Sequence, residues 1–267
     1  MNKYTKSNQS LWDEWTEIHV RSEYYDVEGF KAGRSSLDPI EEQELTDVDG
    51  KSLLHLQCHF GMDTMSWARK GAIVTGVDFS EKAISYAKQI NSDLGLTCKF
   101  VQSDIYDLKN NLDGQYDIVF TSYGVLAWLP DIEGWAETAA HFLKPGGAFY
   151  MAEIHPFSSM LEDEIENPEL KLKYQYFHSA EPIEFETQGS YADSTADIKT
   201  PLEYEWFHSM ADIICALIKA GLKIEYLHEF DYTVYQQFPF LKKEGRKYLM
   251  PEGLPKPPLL FSIKASK

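Results

Sequence analysis

From about residue 51 onward, short apolar runs alternate with stretches whose apolar residues recur at helical spacing. The runs are rich in β-branched and aromatic residues, as is typical of strands that are buried on both faces. Strands that alternate with amphipathic helices predict a parallel sheet covered by helices on both sides. The predicted strands are residues 53–58, 73–77, 98–101, 118–122, 148–152, 224–228 and 259–263.

Short polar residues mark where the intervening helices begin, because their side chains cap the free N–H groups of the first turn. The sequence 144–147, Lys-Pro-Gly-Gly, predicts the end of the helix before the fifth strand. The predicted N-terminal caps are Asp63, Ser80, Asp131 and Ser209, the last with Asp212 at capping-box spacing.

Residues 1–50 and 157–206 lie outside this alternation. Aromatic side chains in the first segment predict that it packs on the rest of the chain, as a lid over a ligand or as part of the core. These aromatic residues are Trp12, Trp15, Tyr24, Tyr25 and Phe30. The second segment contains an acidic run, residues 161–205, which is either a solvated face or an acidic binding surface.

Composition and charge narrow the classes of partner. The chain has 267 residues, of which 43% are hydrophobic and 25% charged, the balance of an ordinary globular protein. Its net charge of −17 opposes a general nucleic-acid surface, because such surfaces neutralise phosphates with Lys and Arg. We therefore expect a small-molecule partner rather than a nucleic acid.

The three cysteines, Cys58, Cys98 and Cys215, lie far apart and show neither disulfide nor metal-ribbon spacing, which suits a reducing compartment. The first residues lack the apolar core of a signal peptide, and no apolar run is long enough to cross a bilayer. We predict a cytoplasmic protein that does not bind membranes, and the sequence leaves its oligomeric state open.

One stretch has the strand, turn and helix start that hold nucleotide-like ligands in α/β proteins. It is residues 53–64, Leu-Leu-His-Leu-Gln-Cys-His-Phe-Gly-Met-Asp-Thr, in which Gly61 allows close approach of a ligand. Asp78 and Asp104 end the next two strands, so their carboxylates are expected at the same edge of the sheet. There Asp78 can accept hydrogen bonds from both ribose hydroxyls, Asp104 can accept one from an adenine amino group, and Phe79 can pack on the base. Alternatively, both carboxylates only cap the helices that follow.

Together these motifs resemble the class I S-adenosylmethionine-dependent methyltransferases, especially those that act on small molecules. The resemblance covers residues 51–155 and, more loosely, 206–266. It rests on the turn around Gly61, on 76–80 (Gly-Val-Asp-Phe-Ser), 103–105 (Ser-Asp-Ile), 116–120 (Tyr-Asp-Ile-Val-Phe) and 143–147 (Leu-Lys-Pro-Gly-Gly). It implies an α/β, doubly wound, mostly parallel seven-stranded sheet whose last strand is antiparallel and inserts beside the sixth.

The resemblance also implies roles for individual residues. The cofactor S-adenosylmethionine would give its methyl group to a small-molecule acceptor by in-line displacement. Its methionine part would be wrapped by Gln57, Cys58, His59 and Gly61 and lined by Thr121, Ser122 and Tyr123, its ribose bound by Asp78, and its adenine framed by Asp104 and Ile105.

The turn departs from the family pattern, which usually has glycines where Gln57 and His59 stand and often an acidic residue in place of His55. Side chains fit such a turn if their backbone φ stays negative, and they would then narrow the pocket or donate hydrogen bonds to the cofactor carboxylate. The replacements therefore bear on cofactor affinity more than on the fold.

Three residues are candidates for moving a proton to or from the methyl acceptor: Tyr123, Glu153 and His155. No metal is expected, because His55 and His59 lie on a strand and turn, where their spacing does not converge. His55 is more simply a hydrogen-bonded strand residue.

Two other functions stay open. The altered turn is compatible with a domain that binds the cofactor weakly and serves as a regulatory partner. A nicotinamide-dependent oxidoreductase shares the acidic strand end but needs glycines at the turn, where its pyrophosphate approaches the backbone.

The chain is accordingly divided into four parts. We expect an N-terminal helical cap at 1–50, the cofactor-binding half at 51–156, and an insertion on the acceptor side at 157–206. Residues 207–267 are expected to complete the same sheet.

Overall fold

The computed structural model describes residues 1–162 and 170–267. The helices are α1 (Lys3–His19), α2 (Val27–Lys31), α3 (Pro39–Glu44), α4 (Met62–Arg69), α5 (Glu81–Asp93), α6 (Leu108–Asn111), α7 (Ile132–Phe142) and α8 (Met210–Lys219). The strands are β1 (Ser52–Leu56), β2 (Ile73–Asp78), β3 (Lys99–Gln102), β4 (Tyr116–Ser122), β5 (Leu143–Ile154), β6 (Ile183–Glu186), β7 (Leu202–Glu205), β8 (Lys223–Phe230), β9 (Tyr232–Thr233), β10 (Lys242–Glu244), β11 (Lys247–Leu249) and β12 (Leu260–Ser266). Single 3₁₀ turns lie at Ile105–Asp107, Leu126–Trp128 and Ser158–Met160.

The seven strands predicted from the apolar runs form one sheet in the order β3-β2-β1-β4-β5-β12-β8. The first five of these are parallel, whereas β12 runs antiparallel to both of its neighbours, β5 and β8. The predicted α/β architecture, with its final strand inserted in antiparallel orientation, is therefore confirmed.

Apolar residues are buried on both faces of the sheet. On one face, Trp135 of α7 and Ile213 of α8 pack against sheet residues such as Phe149 and Phe261. The other face carries α4, α5 and the N-terminal segment, and its fully buried side chains include Phe30, Trp67, Phe120 and Tyr150. Helices on both faces make the sheet doubly wound.

Three of the four predicted caps are confirmed. The side chains of Ser80 and Asp131 accept hydrogen bonds from Ala83 N and Gly134 N, and Ser209 forms a capping box with Asp212. The prediction that Asp63 caps α4 was wrong. Gly61, in the left-handed region with φ 77°, is the N-cap, and Asp63 lies in the first turn of the helix.

The fifth strand begins earlier than its apolar run. Helix α7 ends at Phe142, as the sequence 144–147 predicts, but β5 starts at once with Leu143, which pairs with Tyr116. The register then shifts, so that Ile118 faces Ala148. The expected loop is thus an irregular first part of the strand.

The N-terminal segment and the insertion together cover one end of the sheet. Asn8 of α1 donates from Nδ2 to Tyr204 O (2.7 Å) and accepts at Oδ1 from Tyr204 N (2.9 Å), so it pairs with β7 as a neighbouring strand would. The indole of Trp15 donates to Gly189 O at 2.7 Å. These hydrogen bonds make one cover out of two segments that are distant in sequence.

Part of the acidic run, residues 163–169, lies outside the described residues. Of the run's described members, Glu162 pairs with Lys171 at 2.9 Å, and Glu181 accepts from Tyr4 of α1 at 2.7 Å. No helix within residues 1–162 and 170–267 is long and apolar enough to cross a membrane.

The capping box of α8 gives a prediction for stability. Ser209→Ala removes the side chain that accepts from Asp212 N (3.1 Å), so we expect it to lower the free energy of unfolding by about 1 kcal/mol in chemical denaturation. Ser85→Ala is the control, because Ser85 is exposed within α5 and caps no helix; it should change stability by less than about 0.5 kcal/mol. Equal effects of the two changes would contradict the capping role.

Candidate functional site

Four pieces of backbone meet at the carboxyl edge of the sheet. The turn 57–61 follows β1, Asp78 ends β2, Asp104 follows β3, and β4 ends at Ser122. Because these strands are neighbours in the order β3-β2-β1-β4, the four pieces lie side by side along one edge. This is the position at which open α/β sheets bind ligands.

The turn after β1 has an unusual backbone. Gln57 (φ 56°) and His59 (φ 52°) both lie in the left-handed region, so the expectation that φ would stay negative there was wrong. Gly61 also has positive φ, and a Cβ atom on it would lie 2.5 Å from the ring of Phe100. Left-handed non-glycine residues carry roughly 1–3 kcal/mol of strain each, which the surrounding contacts must offset.

The side chain of Gln57 has clear structural partners. Its Nε2 donates to Val125 O (3.4 Å) and its Oε1 accepts from Trp135 Nε1 (3.1 Å), which joins the turn to the loop after β4 and to α7.

Cys58 is buried, and burial raises the pKa of its thiol, so this residue packs rather than reacts. His55 is also buried and bonds Thr64 Oγ1 through Nδ1 at 2.8 Å, which confirms the strand residue that the sequence indicates.

Asp78 is 7% exposed and engages the backbone on both sides. Its Oδ2 accepts from His59 N (2.8 Å) and its Oδ1 accepts from Ser80 N (2.9 Å). Burial raises the pKa of this carboxyl to about 6, although the backbone hydrogen bonds favour the ionised form. A carboxylate has roughly four acceptor sites, and the N–H of Phe79 also acts on this one, so the backbone donors leave room for a ligand hydroxyl.

Asp104 has a similar environment at the end of the neighbouring strand. It is 7% exposed, burial raises its pKa, and its Oδ1 accepts from Tyr106 N at 2.9 Å. Asp104 thereby caps the 3₁₀ turn Ile105–Asp107, while Ile105 packs into the core. Because Asp104 caps this turn through Oδ1, its Oδ2 can accept from a ligand, so capping and ligand binding are compatible.

The end of β4 supplies two more of the predicted residues. Thr121 is buried and donates from Oγ1 to Leu56 O at 3.3 Å. Ser122 donates to Asp63 Oδ2 at 3.4 Å. These bonds fix the end of β4 against the turn and against the first turn of α4.

Helix α1 lies over the strand end that carries Asp78. Gln9 donates to Phe79 O (2.7 Å), and Asp13 accepts from Ser80 Oγ (2.5 Å) and from Lys82 N (3.2 Å). The sequence indicated a packed N-terminal segment but not these polar contacts, since they depend on where α1 crosses the sheet edge.

Aromatic rings gather around His59. The imidazoles of His19 and His59 approach to 3.3 Å between Nδ1 and Nε2, and the ring of Trp12 lies 5.3 Å from that of His59. Burial lowers the pKa of His19 to about 3, so the ring is neutral near pH 7. We call this group the His59 cluster; its members are Trp12, Trp15, His19, Tyr25, His59, Trp128 and Tyr191.

The three proton-transfer candidates already have partners. Tyr123, also at positive φ (32°), donates from Oη to Glu41 Oε2 at 2.7 Å. His155 accepts from Phe157 N at Nδ1 (3.0 Å), so its Nε2 carries the proton and donates to Glu229 (2.8 Å). Both ring nitrogens of His155 are therefore engaged.

Glu153 holds the loop after β4. Its side chain is buried and accepts hydrogen bonds from the N–H groups of Val125 (2.8 Å), Leu126 (3.2 Å), Ile154 (2.6 Å) and Gly124. Four donors saturate a carboxylate. In this structure Glu153 organises backbone and has no acceptor site left for a proton of the substrate.

Two cavities lie near the end of β5, and the sequence analysis did not find His208, which lines the smaller one. One cavity, of about 380 Å³, is lined by His155, Phe157, Met160, Tyr176 and Pro258. A smaller one, of about 50 Å³, adjoins Glu153, Tyr176, Trp206, Phe207 and His208. His208 Nε2 donates to Leu129 O at 2.8 Å, whereas its buried Nδ1 has no partner among residues 1–162 and 170–267. Neither spacing nor composition marked His208, because the insertion brings it to the site.

Comparison with known proteins assigns the central part of the chain to a family. Residues 53–147 match the family model described as a methyltransferase domain, and they contain the turn, Asp78, Asp104 and the end of β4. This segment is therefore similar to methyltransferase domains, as its motifs indicated.

The relatives found by sequence comparison align with about half of this chain. The ubiquinone biosynthesis O-methyltransferase of Erwinia tasmaniensis is 28% identical over 140 residues, which are 51% of this chain and 57% of that protein. The protein of the same name from Escherichia coli O157:H7 is also 28% identical and is covered over 58% of its length. The chain thus spans less than two thirds of these relatives.

Solved structures share the fold. An S-adenosylmethionine-dependent methyltransferase from Mesorhizobium loti superposes with a TM-score of 0.61 at 22% identity, covering 89% of this chain and 100% of that one. One from Clostridium acetobutylicum superposes with a TM-score of 0.58 at 15% identity, covering 96% and 98%. At these identities the likeness is one of architecture.

The hydrogen bonds of Glu153 predict that Glu153→Gln destabilises the fold. The amide offers one acceptor oxygen to four buried N–H groups, so we expect a loss of about 2 kcal/mol or more, read as a lower midpoint of thermal unfolding. The matched control is Glu229→Gln, whose side chain is half exposed and which should stay within about 0.5 kcal/mol. An unchanged midpoint for Glu153→Gln would mean that the carboxylate is not structural.

Proposed function

We propose that this chain binds S-adenosylmethionine and transfers its methyl group to a small-molecule acceptor. In the proposed site Asp104 and Ile105 frame the adenine, Asp78 binds the ribose hydroxyls, and Phe79 packs on the base. The methionine part lies against Gln57, Cys58, His59, Gly61 and the end of β4 at Thr121, Ser122 and Tyr123. The observation that carries this proposal is Asp78, held beside the turn 57–61 within the methyltransferase domain.

The residues at the edge suit this cofactor chemically. The carboxylate of Asp78 retains acceptor capacity beside its backbone donors, which suits a ribose hydroxyl. Asp78 and Asp104 disfavour a pyrophosphate, whereas S-adenosylmethionine contains no phosphate. The buried indole N–H of Trp12, a member of the His59 cluster, has no acceptor among the described residues, and a polar ligand would supply one.

When bound, S-adenosylmethionine supplies an electrophilic methyl group on a positively charged sulfur. The protein then has to align the acceptor and exclude water. Helix α1 and the insertion provide the cover, and Glu153 fixes the loop Gly124–Leu126 next to it. Because Tyr123, Glu153 and His155 all have partners, we propose that alignment contributes more to the reaction than a dedicated base does.

We further propose that the acceptor is a small planar or apolar molecule. The cavities at the end of β5 are walled by aromatic side chains, among them Tyr176, Trp206 and Phe207. The volume of the larger cavity, about 380 Å³, is in the range of small-ligand sites. Relatives named as O-methyltransferases of ubiquinone biosynthesis are compatible with such an acceptor.

The remaining parts of the proposal concern the protein as a whole. We place the acceptor-side cap at 157–206 and the cofactor-binding half at 51–156. Free cysteines, two of them buried, fit a reducing cytoplasm, and the net charge of −17 disfavours nucleic acid as a partner.

Calorimetric titration tests the proposed cofactor. We expect S-adenosylmethionine and S-adenosylhomocysteine to bind and NADH not to bind. Asp78→Asn should weaken both sulfur ligands at least about tenfold, because hydrogen bonds to a charged group are lost. Asp117→Asn is the control: Asp117 accepts from Ser52 N (2.9 Å) at the opposite end of the strands, so it should affect stability but not affinity.

Three results would contradict the proposal in different ways. Preference for NADH would favour an oxidoreductase. Absence of binding by all three ligands would favour a regulatory domain. Equal loss of affinity in both variants would remove Asp78 from the site.

The raised pKa of Asp78 predicts a pH dependence of binding. Ribose hydroxyls need the ionised carboxylate as acceptor, and in the free protein this group takes up a proton as pH falls through about 6. The affinity for S-adenosylhomocysteine should therefore be constant above that pH and fall by up to about tenfold per pH unit below it. In Asp78→Asn this component should disappear; a profile that is the same in both proteins would assign it to another group.

A further inference from the structure

We propose that His208 positions the methyl acceptor by accepting a hydrogen bond from it at Nδ1, so that the site selects acceptors that present a hydroxyl or an N–H group rather than a carboxylate. This inference rests on the proposed function and concerns the acceptor rather than the cofactor. It assigns a substrate class to the smaller cavity near the end of β5.

The hydrogen bond at Nε2 defines the state of the His208 ring. Nε2 lies 2.8 Å from Leu129 O, and a carbonyl oxygen can only accept, so Nε2 carries the proton. Burial lowers the pKa of His208 to about 4, which keeps the ring neutral near pH 7. A neutral ring with its proton on Nε2 offers Nδ1 as an acceptor, and it cannot donate there.

This acceptor is buried and lacks a donor. His208 is 5% exposed, and its Nδ1 forms no hydrogen bond with the described residues. Buried polar atoms are normally paired, and one left unpaired is destabilising until a donor reaches it. The imidazole of His208 also lines the smaller cavity, beside Glu153 and Trp206. A ligand group in this cavity is therefore a neighbour of the ring that lacks a donor.

The ring of His208 is held in place on two sides. The segment 206–208 is bound to the loop after β4, because Trp206 N donates to Ala127 O (2.8 Å) and His208 Nε2 donates to Leu129 O. The imidazole also stacks on that of His178, with 4.9 Å between centroids and 11° between planes. An acceptor atom that is already fixed discriminates between ligands better than a mobile one does.

The sizes of the two cavities indicate how an acceptor is divided between them. The smaller, of about 50 Å³, is a few times the space of about 10–15 Å³ that one water needs, so it admits a hydroxyl or amino group rather than a ring. The larger, of about 380 Å³, has the apolar side chains of Phe157, Met160 and Pro258 in its wall. Tyr176 lines both cavities, so they are neighbours. We therefore place the apolar body of the acceptor in the larger cavity and its donor group in the smaller.

The charges around the cavities disfavour an anion. Among the described residues, no lysine or arginine lines either cavity, and Glu153 brings a carboxyl group to the smaller one. Helix α8 begins two residues after His208, but donors of its first turn are occupied: Met210 N donates to Tyr176 Oη (3.2 Å) and Asp212 N to Ser209 Oγ (3.1 Å). A carboxylate would thus be desolvated here without a counter-charge.

Phenol, toluene and benzoate are the probes of the test. Phenol and toluene have nearly the same shape, but only phenol has a donor, and benzoate is an anion of similar size. Each is titrated into the protein saturated with S-adenosylhomocysteine, with binding followed by ligand-observed NMR. We expect phenol to bind at least about fivefold more tightly than toluene, and benzoate to bind more weakly than phenol.

Two substitutions at His208 separate the acceptor atom from the structural bond. His208→Phe and His208→Asn both lose the hydrogen bond to Leu129 O, but only Asn keeps an acceptor oxygen near the place of Nδ1. The preference for phenol over toluene should disappear in His208→Phe and return at least in part in His208→Asn. His178→Phe is the matched control, because it changes the exposed ring stacked on His208 and should keep the preference.

A spectroscopic measurement on the unsubstituted protein does not depend on the folding of a variant. With ¹⁵N-labelled histidine, the Nδ1 resonance of His208 should shift when phenol is added and stay in place when toluene is added. The resonance is identified by its absence in His208→Phe or, if that variant does not fold, in His208→Asn.

The contrary outcomes distinguish this inference from the proposed function. If S-adenosylhomocysteine binds and Asp78→Asn weakens it, but phenol binds no better than toluene or His208→Phe keeps the preference, the role of His208 is wrong and the proposed function stands. Tighter binding of benzoate than of phenol, or an equal loss of preference in His178→Phe, would also overturn that role. If the protein does not bind S-adenosylhomocysteine, both proposals fail.

Discussion

The hydrogen bond from His59 N to the carboxylate of Asp78 joins two elements on which the whole site depends. Its length is 2.8 Å, and a second backbone bond, from Cys58 N to Val77 O, lies beside it at the same distance. Together they bind the turn after β1 to the end of β2 and hold His59 in a left-handed conformation. The strained turn and the acidic strand end are therefore one unit.

Two segments, helix α1 and the insertion 157–206, lie over the turn and the end of β2. They are distant in sequence and are not neighbours in the seven-stranded sheet. Helix α1 contacts the β2 end through Gln9 and Asp13 and contacts the insertion through Asn8 and Trp15. A change in the position of α1 would thus alter both the strand end and the hairpin β6–β7. Helix α1 therefore couples the end of β2 to the insertion through hydrogen bonds.

The sequence predicted those features, strands and helix caps, that depend on interactions between residues close together in the chain. The apolar periods identified all seven strands of the sheet, and Ser80 and Asp131 capped their helices because a cap needs only neighbouring N–H groups. Asp63 failed as a cap since Gly61 could adopt the left-handed N-cap conformation two residues earlier. Contacts such as His19 to His59, or His208 to Leu129, were not predictable, because they join residues 40 and 79 positions apart.

Glu153 shows why position in a fold is a weak guide to chemistry. It comes after the family motifs in the sequence, lies near the carboxyl edge of the sheet and is buried, and these properties are expected of a catalytic base. Yet burial raises its pKa while four backbone N–H groups act in the opposite direction, and these groups occupy its acceptor sites. A base must have an acceptor site that faces the substrate. The carboxylate here instead determines where the loop Gly124–Leu126 lies.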